Sequence, residues 1–171
     1  MTAVSFDVRR ATPDDAAAIS ALMHVVVGER IHSAIDRAWT VDEERRYLVA
    51  LGLRESVHVA VAGAGEVVGC QDVGPYSRDI PSMAHAAQLG TFVLPAWRGR
   101  GVGQALFSAT ERFARAAGFR KIVIHVRASN RAAQAFYARL GFIECGRLRA
   151  HVVLDGVEDD EVLMEMMLGR T

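Results

Sequence analysis

The sequence predicts a mixed α/β domain, and three observations predict it. Its 171 residues match the length of one domain, long enough to bury roughly 70% of the surface that the unfolded chain exposes. Apolar residues make up 51% and charged residues 23%, an ordinary globular balance far from that of a disordered chain. The hydrophobic period also changes along the chain, from helical spacing to alternation and back. The resulting order is helices, a β hairpin, and then β-α-β-α-β-β, with no internal repeat, low-complexity segment or linker, so residues 1–171 read as one domain.

Thr12-Pro13-Asp14-Asp15 has the form of a helix start: an N-cap, proline at the first helical position and acids in the first turn. The helix carries Ile19, Leu22, Met23 and Val26 and ends at Gly28. Thr40 caps a second helix with Val41, Tyr47, Leu48 and Leu51 at helical spacing, and Glu29 to Trp39 between them reads as a polar, mobile connector. Val57–Val61 and Val67–Val73 flank Ala62-Gly63-Ala64-Gly65 and read as a hairpin. After a loop from Pro75 to Pro81, Ala87–Leu94 reads as a strand stopped by Pro95. Val102, Leu106, Ala109, Phe113 and Ala116 share one helical face, closed by Gly118. Lys121–Arg127 is a strand with Ile122, Ile124 and Val126 on one face and Val123, His125 and Arg127 on the other. Asn130 starts a short helix through Ala133, Phe136, Tyr137 and Leu140, stopped by Gly141. Phe142–Val153 and Glu161–Leu168 read as closing strands around a turn at Asp155-Gly156.

Several function classes are disfavoured at once. Twenty basic and twenty acidic residues leave no global field to gather nucleic acid or an anionic membrane, so neither is an expected partner. The longest early uncharged run, Ala16 to Gly28, falls short of the ~18 residues of a membrane span. Met1 to Arg10 carries Asp7, Arg9 and Arg10 and does not read as a signal peptide. Cys70 and Cys145 form no disulfide framework or zinc spacing, and no histidine pair has metal-site spacing on a predicted element. The expectation is a cytoplasmic protein without a metal.

One loop carries a positive signal. The strand ending at Leu94 leads through Pro95-Ala96-Trp97 into Arg98-Gly99-Arg100-Gly101-Val102-Gly103 and then a helix. The first N–H groups of a helix have no internal partner and its dipole favours an anion there. Glycines at 99, 101 and 103 leave those groups approachable, and Arg98 and Arg100 add positive charge. A phosphate or pyrophosphate suits that geometry. Gln104-Ala105 after Gly103 excludes a Walker A loop, and the dinucleotide fingerprint fails at Gln104 and Leu106.

Arg98-Gly99-Arg100-Gly101-Val102-Gly103 resembles the Q/R-x-x-G-x-G/A motif of the GCN5-related N-acetyltransferase (GNAT) superfamily. Leu89 to Pro95 before it, and Val126-Arg127-Ala128-Ser129-Asn130, Phe136-Tyr137 and Leu140-Gly141-Phe142 after it, match too. The match covers Gln88 to Arg170. The resemblance implies a mixed, mostly antiparallel sheet with splayed central strands and about four flanking helices. It also implies acetyl-CoA as co-substrate and a primary amine as acceptor. Pantetheine would pair with backbone at Thr91, Phe92 and Val93, the pyrophosphate would sit on Arg98, Gly99, Arg100, Gly101, Val102, Gly103 and Gln104, and Asn130 would contact the pantetheine–thiol region.

Acyl transfer from a thioester to an amine needs a neutral amine, support for the oxygen as charge develops, and a proton for the departing thiolate. The resemblance puts the acid at Tyr137, and a phenol of pKa about 10 stays protonated while a thiolate of pKa about 8.5 leaves. Ribosomal-protein alanine acetyltransferases share the Val-Arg-Ala-Ser-Asn stretch but carry a catalytic glutamate just before its valine. This chain has His125 there, so His125 or a bound water is the expected base. Glu158-Asp159-Asp160-Glu161 reads as an acidic run at a turn, either solvated or steering a cationic amine. Trp39 and the connector are expected on the acceptor side and Trp97 under the glycine loop. The exposed closing strands suit a homodimer. An acyl-CoA-binding module without catalysis stays open as a second reading because His125 replaces a carboxylate; Asn130 and Tyr137 favour the enzyme.

Overall fold

The computed structural model describes residues 5–169; the predicted match at Arg170 and the first four residues of the start lie outside them. Seven strands form one sheet: β1 (Phe6–Arg10), β2 (Ser56–Ala62), β3 (Glu66–Pro75), β4 (Ala86–Val93), β5 (Lys121–Arg127), β6 (Ile143–Leu154) and β7 (Val157–Met167). Their order is β1-β2-β3-β4-β5-β7-β6. Every neighbouring pair is antiparallel except β4 with β5. Four α-helices pack on the sheet among the described residues: α1 (Ala16–Gly28), α2 (Val41–Ala50), α3 (Val102–Ala116) and α4 (Arg131–Arg139). This is the mixed, mostly antiparallel architecture that the sequence resemblance implies.

Local chemistry explains the helix ends. The Thr40 hydroxyl accepts from the Glu43 N–H at 3.3 Å while Glu43 Oε2 accepts from the Thr40 N–H at 2.8 Å, a reciprocal capping box. At α4, the Asn130 side chain accepts from the Ala133 N–H at 3.0 Å, so this residue fixes where the helix begins. Alternation along the strands then assigns each face. Val57, Val59 and Cys70 pack with Ile19, Leu22, Val26 and Leu48 of α1 and α2. Val73, Leu89, Ile122, Ile124 and Val126 pack with Phe107 and Ala114 of α3 and Tyr137 of α4. The sheet is thus covered on both faces; β2 is buried almost throughout and β3 from Val67 to Gln71.

β4 and β5 pair only at Ala86–Lys121, Ala87–Ile122 and Gln88–Val123. Beyond Gln88 the strands part, which is the splay the resemblance implies.

Three readings need correction. β1 was not evident in the sequence: it is five residues long and three of its five residues are charged, so its alternation is too short to stand out beside the β2 partner that fixes it. The closing strand begins at Val157, so the acidic run Glu158–Glu161 lies within β7 and is not a turn. Its side chains explain why charge is tolerated there: Asp159 pairs with Arg127, Asp160 with Arg147 and Glu161 with His125. The connector between α1 and α2 is not free either. The Arg127 guanidinium donates to the Arg30 carbonyl at 2.8 Å, Asn130 Nδ2 to the His32 carbonyl at 3.1 Å, and Arg30 pairs with Asp155.

His58 of β2 is 8% exposed, with Nδ1 3.2 Å from Thr110 Oγ1 of α3. Burial, reinforced by Arg10 and Arg112, pushes its pKa down to about 4. Unfolded histidine titrates near 6.5, so this stability is full above that pH and is lost as pH falls toward 4, by about 3 kcal/mol. Thermal melts of His58→Gln across pH 4–7 should show a shallower acid-side loss than the wild type; parallel curves would contradict it.

Candidate active site

The parting of β4 and β5 opens a cleft of ≈ 1020 Å³ that reaches both faces of the sheet. One end is the glycine loop. Gly99 and Gly101 have φ of +72° and +85°, and a Cβ at either would meet nothing within 4 Å. Their conformation therefore needs glycine, and the space beside them is open. Gly103 differs: a Cβ there would stand 3.0 Å from the Phe136 ring, so it allows α3 to approach α4. Gly101 caps α3, and the N-terminal turn of a helix of fifteen residues faces the loop. An anion such as a pyrophosphate fits this cradle.

The two arginines of the loop behave differently from expectation. Arg98 points back into the protein, donating through Nε to the Val93 carbonyl at 3.0 Å and through Nη1 to Glu29 at 2.9 Å. It acts as a strut between β4, the loop and the end of α1, so the contribution of position 98 to an anion comes from the backbone. Arg100 lies over the Trp97 ring at 5.8 Å. Trp97 meets Phe6 edge-on at 6.4 Å, so it packs beside the loop as the sequence suggests. Trp39 contacts Tyr47 edge-on at 5.2 Å and lies outside the cleft lining.

Thr91, Phe92, Val93, Arg98, Gly99, Gly101, Gly103, Gln104, Asn130, His125 and Tyr137 all line the cleft, whereas Arg100 and Val102 do not. Val102 is 1% exposed and belongs to the core. Thr91 and Gln71 pair across β3 and β4. The Thr91 hydroxyl oxygen accepts from Gln71 Nε2 at 2.6 Å and from the Tyr137 hydroxyl at 2.8 Å. Tyr137 is 6% exposed, and burial pushes its phenol up to about 12 despite the Thr91 hydrogen bond. The group is therefore a protonated donor over the neutral range.

His125 stands on the other face. Ile122, Ile124 and Val126 enter the core with α3 and α4, so alternation turns His125 toward the α1–α2 side. Its Nδ1 is 2.9 Å from Glu161 Oε2 and its ring stacks on Tyr76 at 6.2 Å. The partner at Nδ1 leaves Nε2 as the nitrogen available to a substrate.

Two residues escaped the sequence reading. Asp72 of β3 pairs with Gly90, where a Cβ would come within 2.8 Å of Asp72 Oδ1; Gly90 makes room for the carboxylate. Cys70 and Phe92, two pairs along and so on the same face, pack with α1 and α2, so Asp72 faces that side, and it lines the cleft. Burial raises it to about 6. Glu44 of α2 is 5% exposed and is raised to about 7 by burial and then by the charge of Asp72. An acid interrupting the apolar run Val67–Val73 was the available signal for Asp72; Glu44 looked like one of three acids in a helical first turn.

A raised carboxyl stabilises the fold fully below its unfolded pKa of about 4.3, and that contribution is lost as pH rises through its folded value near 7. Glu44→Gln should therefore gain on the wild type between pH 5 and 8, by about 3 kcal/mol at the upper end. Melting temperatures of both proteins across that range provide the check, and a constant difference would refute it.

Comparison with known proteins agrees with this geometry. Residues 23–142 match the family described as the acetyltransferase (GNAT) family. The chain is 31% identical over 151 residues to an aminoglycoside N(6')-acetyltransferase type 1 of Stenotrophomonas maltophilia, covering 86% of this chain and 93% of that protein. A GCN5-related N-acetyltransferase structure from Kribbella flavida superposes with a TM-score of 0.83 at 28% identity, over 95% of this chain and 97% of that one. The structure of yncA from Salmonella typhimurium with its cofactor acetyl-CoA gives a TM-score of 0.89 at 24% identity, covering 98% and 96% of the two chains.

Proposed function

From the premise that the chain belongs to the GNAT acetyltransferase family, and is an N-acetyltransferase using acetyl-CoA, we propose that it acetylates a primary amine of a cationic acceptor such as an amino sugar. Transfer is direct, within a ternary complex, and residues 1–171 act as one catalytic domain. The observation that carries this reading is the cleft itself, which has an anion cradle at one end, the Tyr137 donor on one face of the sheet, and His125 with Glu161 on the other. The acceptor class rests on two supports. The relative from Stenotrophomonas maltophilia is named for aminoglycosides, and the α1–α2 side of the cleft carries Asp72 and Glu161, which favour a cation over a substrate bearing its own carboxylate.

Acetyl-CoA supplies the acetyl group as an activated thioester. The loop from Arg98 to Gln104 binds its pyrophosphate through backbone N–H groups, and Asn130 and the Thr91–Val93 backbone hold the pantetheine arm. A backbone N–H near Val93 supports the carbonyl oxygen as charge develops. His125 Nε2 accepts the proton of the attacking amine, with Glu161 stabilising the imidazolium through Nδ1. Tyr137 exchanges Thr91 for the leaving sulfur and protonates it. The protein works in the cytoplasm, without nucleic acid or membrane partners, and as a homodimer through the closing strands, where Ile143 and Val153 of the edge strand β6 are exposed.

Neomycin and paromomycin differ by an amine against a hydroxyl at the 6' carbon. Incubation of the enzyme with acetyl-CoA and each compound, followed by mass spectrometry, should give one added acetyl group on neomycin and none on paromomycin. Equal acetylation of both would move the reacting amine elsewhere, and no product from either would reject the amino-sugar class. Tyr137→Phe should lower kcat by ~100-fold, the scale of a lost general acid, with a much smaller change in coenzyme A affinity by calorimetry. Unaltered kcat would remove the acid from Tyr137.

A further inference from the structure

Gln71 is a polar residue in an apolar layer. It lies within β3 and is 0% exposed. Residues two positions away on the strand share its face. A Cβ at Gly69 would meet Val102 and Leu106 of α3, and Val73 packs with Phe107 and Tyr137. A polar group in such surroundings is costly unless it is hydrogen-bonded, and Gln71 meets only part of that demand. Its Nε2 donates to Thr91 Oγ1 at 2.6 Å, while its Oε1 is buried without a hydrogen-bond partner among the described residues. A side chain kept under those terms has its one contact, Thr91, as its reason for being there.

What that contact fixes is the Thr91 proton. A threonine hydroxyl has one proton to donate and two lone pairs that accept. Gln71 Nε2 holds one lone pair, and the Tyr137 hydroxyl, at 2.8 Å, holds the other. An amide nitrogen does not accept, so Gln71 leaves the Thr91 proton free to turn to the phenol oxygen once Tyr137 directs its own proton elsewhere. The rings around Tyr137 offer no rival donor: Phe136 and Phe142 meet it edge-on at 5.1 and 5.4 Å. Burial pushes the phenol up to about 12, and the Thr91 hydrogen bond acts in the opposite direction. A phenol that gives up a proton in this place needs a donor to the phenolate it leaves.

We propose that Gln71 and Thr91 are positioning residues of the acid, forming a chain from Gln71 through Thr91 to Tyr137 whose last hydrogen bond reverses as the proton leaves. The inference rests on the reading of Tyr137 as the proton donor and adds the residues that make the donation possible. The Tyr137 O–H bond breaks as the S–H bond of coenzyme A forms, and the bonding electrons stay on the phenol oxygen. Thr91 then donates a hydrogen bond to that phenolate and keeps its own proton, with Gln71 still donating to the Thr91 oxygen. Tyr137 regains a proton from water after the products leave. Gln71 lies outside the cleft lining, so it acts only through Thr91.

The test uses the full chain with acetyl-CoA and neomycin and follows thiol release. Thr91→Val should lower kcat by about 10- to 100-fold, the scale of a hydrogen bond to a charged group, and Gln71→Met by about 3- to 10-fold. KM for acetyl-CoA should change little, and Thr91→Ser should recover most of what Thr91→Val loses. The deciding comparison is made in the Tyr137→Phe background, which has no phenol to serve. There, neither substitution should lower kcat further by more than about twofold. Losses that add in full in that background would mark a merely structural role and overturn the chain, whereas an unaltered kcat in Tyr137→Phe alone would remove the acid and the chain together. A readout without turnover is the Cζ resonance of isotope-labelled Tyr137, identified by its loss in Tyr137→Phe. It should move in Gln71→Met as well as in Thr91→Val, although the Gln71 hydrogen bond goes to Thr91 and not to the phenol. A resonance that Gln71→Met leaves in place would overturn the chain. If neomycin is not acetylated, the amino-sugar reading falls and the resonance alone decides the chain.

Discussion

The site depends on a pairing that stops. β4 and β5 hold together over three residue pairs and then part, and each functional element takes its position from that separation. On its other edge β4 stays paired to β3 from Ala87 to Val93, so the strand remains rigid while its free edge faces the cleft. Backbone groups on such an edge require partners, and Arg98 already serves one of them at the Val93 carbonyl. Because the sheet is open there, Tyr137 from the α3–α4 side and His125 from the α1–α2 side reach a common space. In a closed sheet these two side chains would be separated by a layer of backbone. The architecture thus lets the two groups proposed as proton donor and proton acceptor approach one space from opposite directions without meeting each other.

Polar contacts lock this opening to the chain that runs over it. The connector between α1 and α2 would be an ordinary surface loop on composition alone, yet Arg127 and Asn130 donate to its carbonyls and Glu29 at its start grips Arg98. Arg127 is 9% exposed and is satisfied by Asp159 as well as by the connector. A buried guanidinium with that many acceptors is fixed in place, since removing any one would leave a costly unpaired charge. Loop, glycine cradle and β5 therefore behave as one unit, and the acidic stretch of β7 is part of what holds it.

The fold was legible in the sequence where local rules coincide with tertiary demands. The helices had caps that the structure uses, at Thr40 and Asn130, and β5 alternated in step with its two environments, with Ile122, Ile124 and Val126 entering the core. The glycine loop was legible because positive φ at 99 and 101 leaves no choice of residue. What escaped were features decided by partners far away in the chain. β1 exists because β2 pairs with it. Asp159 is acceptable in a strand because Arg127, thirty-two positions earlier, meets it. Arg98 looked like an anion ligand because nothing local announces that Glu29 occupies it. Sequence periodicity reports which face a residue occupies; it does not report which charge stands opposite.

The same distinction explains why overall charge gave no hint of the acceptor side. With twenty bases and twenty acids, the chain balances, and among the described residues almost every sheltered carboxylate is matched by a base. A neutral total is compatible with any local arrangement, so the informative quantity is the residue pair that remains after all matched pairs are removed. Here the remainder is Glu44, buried on α2, and Asp72, which lines the cleft beside the opened sheet. Natural folds seldom retain two such groups where hydrophobic residues would pack as well. Gly90 sharpens the point: a position in the middle of a central strand gives up its side chain, at a cost in strand stability, and the atom it avoids is Asp72 Oδ1. Gly90 thus makes room for a carboxylate that accepts backbone N–H groups of β3 and β4 and faces the cleft.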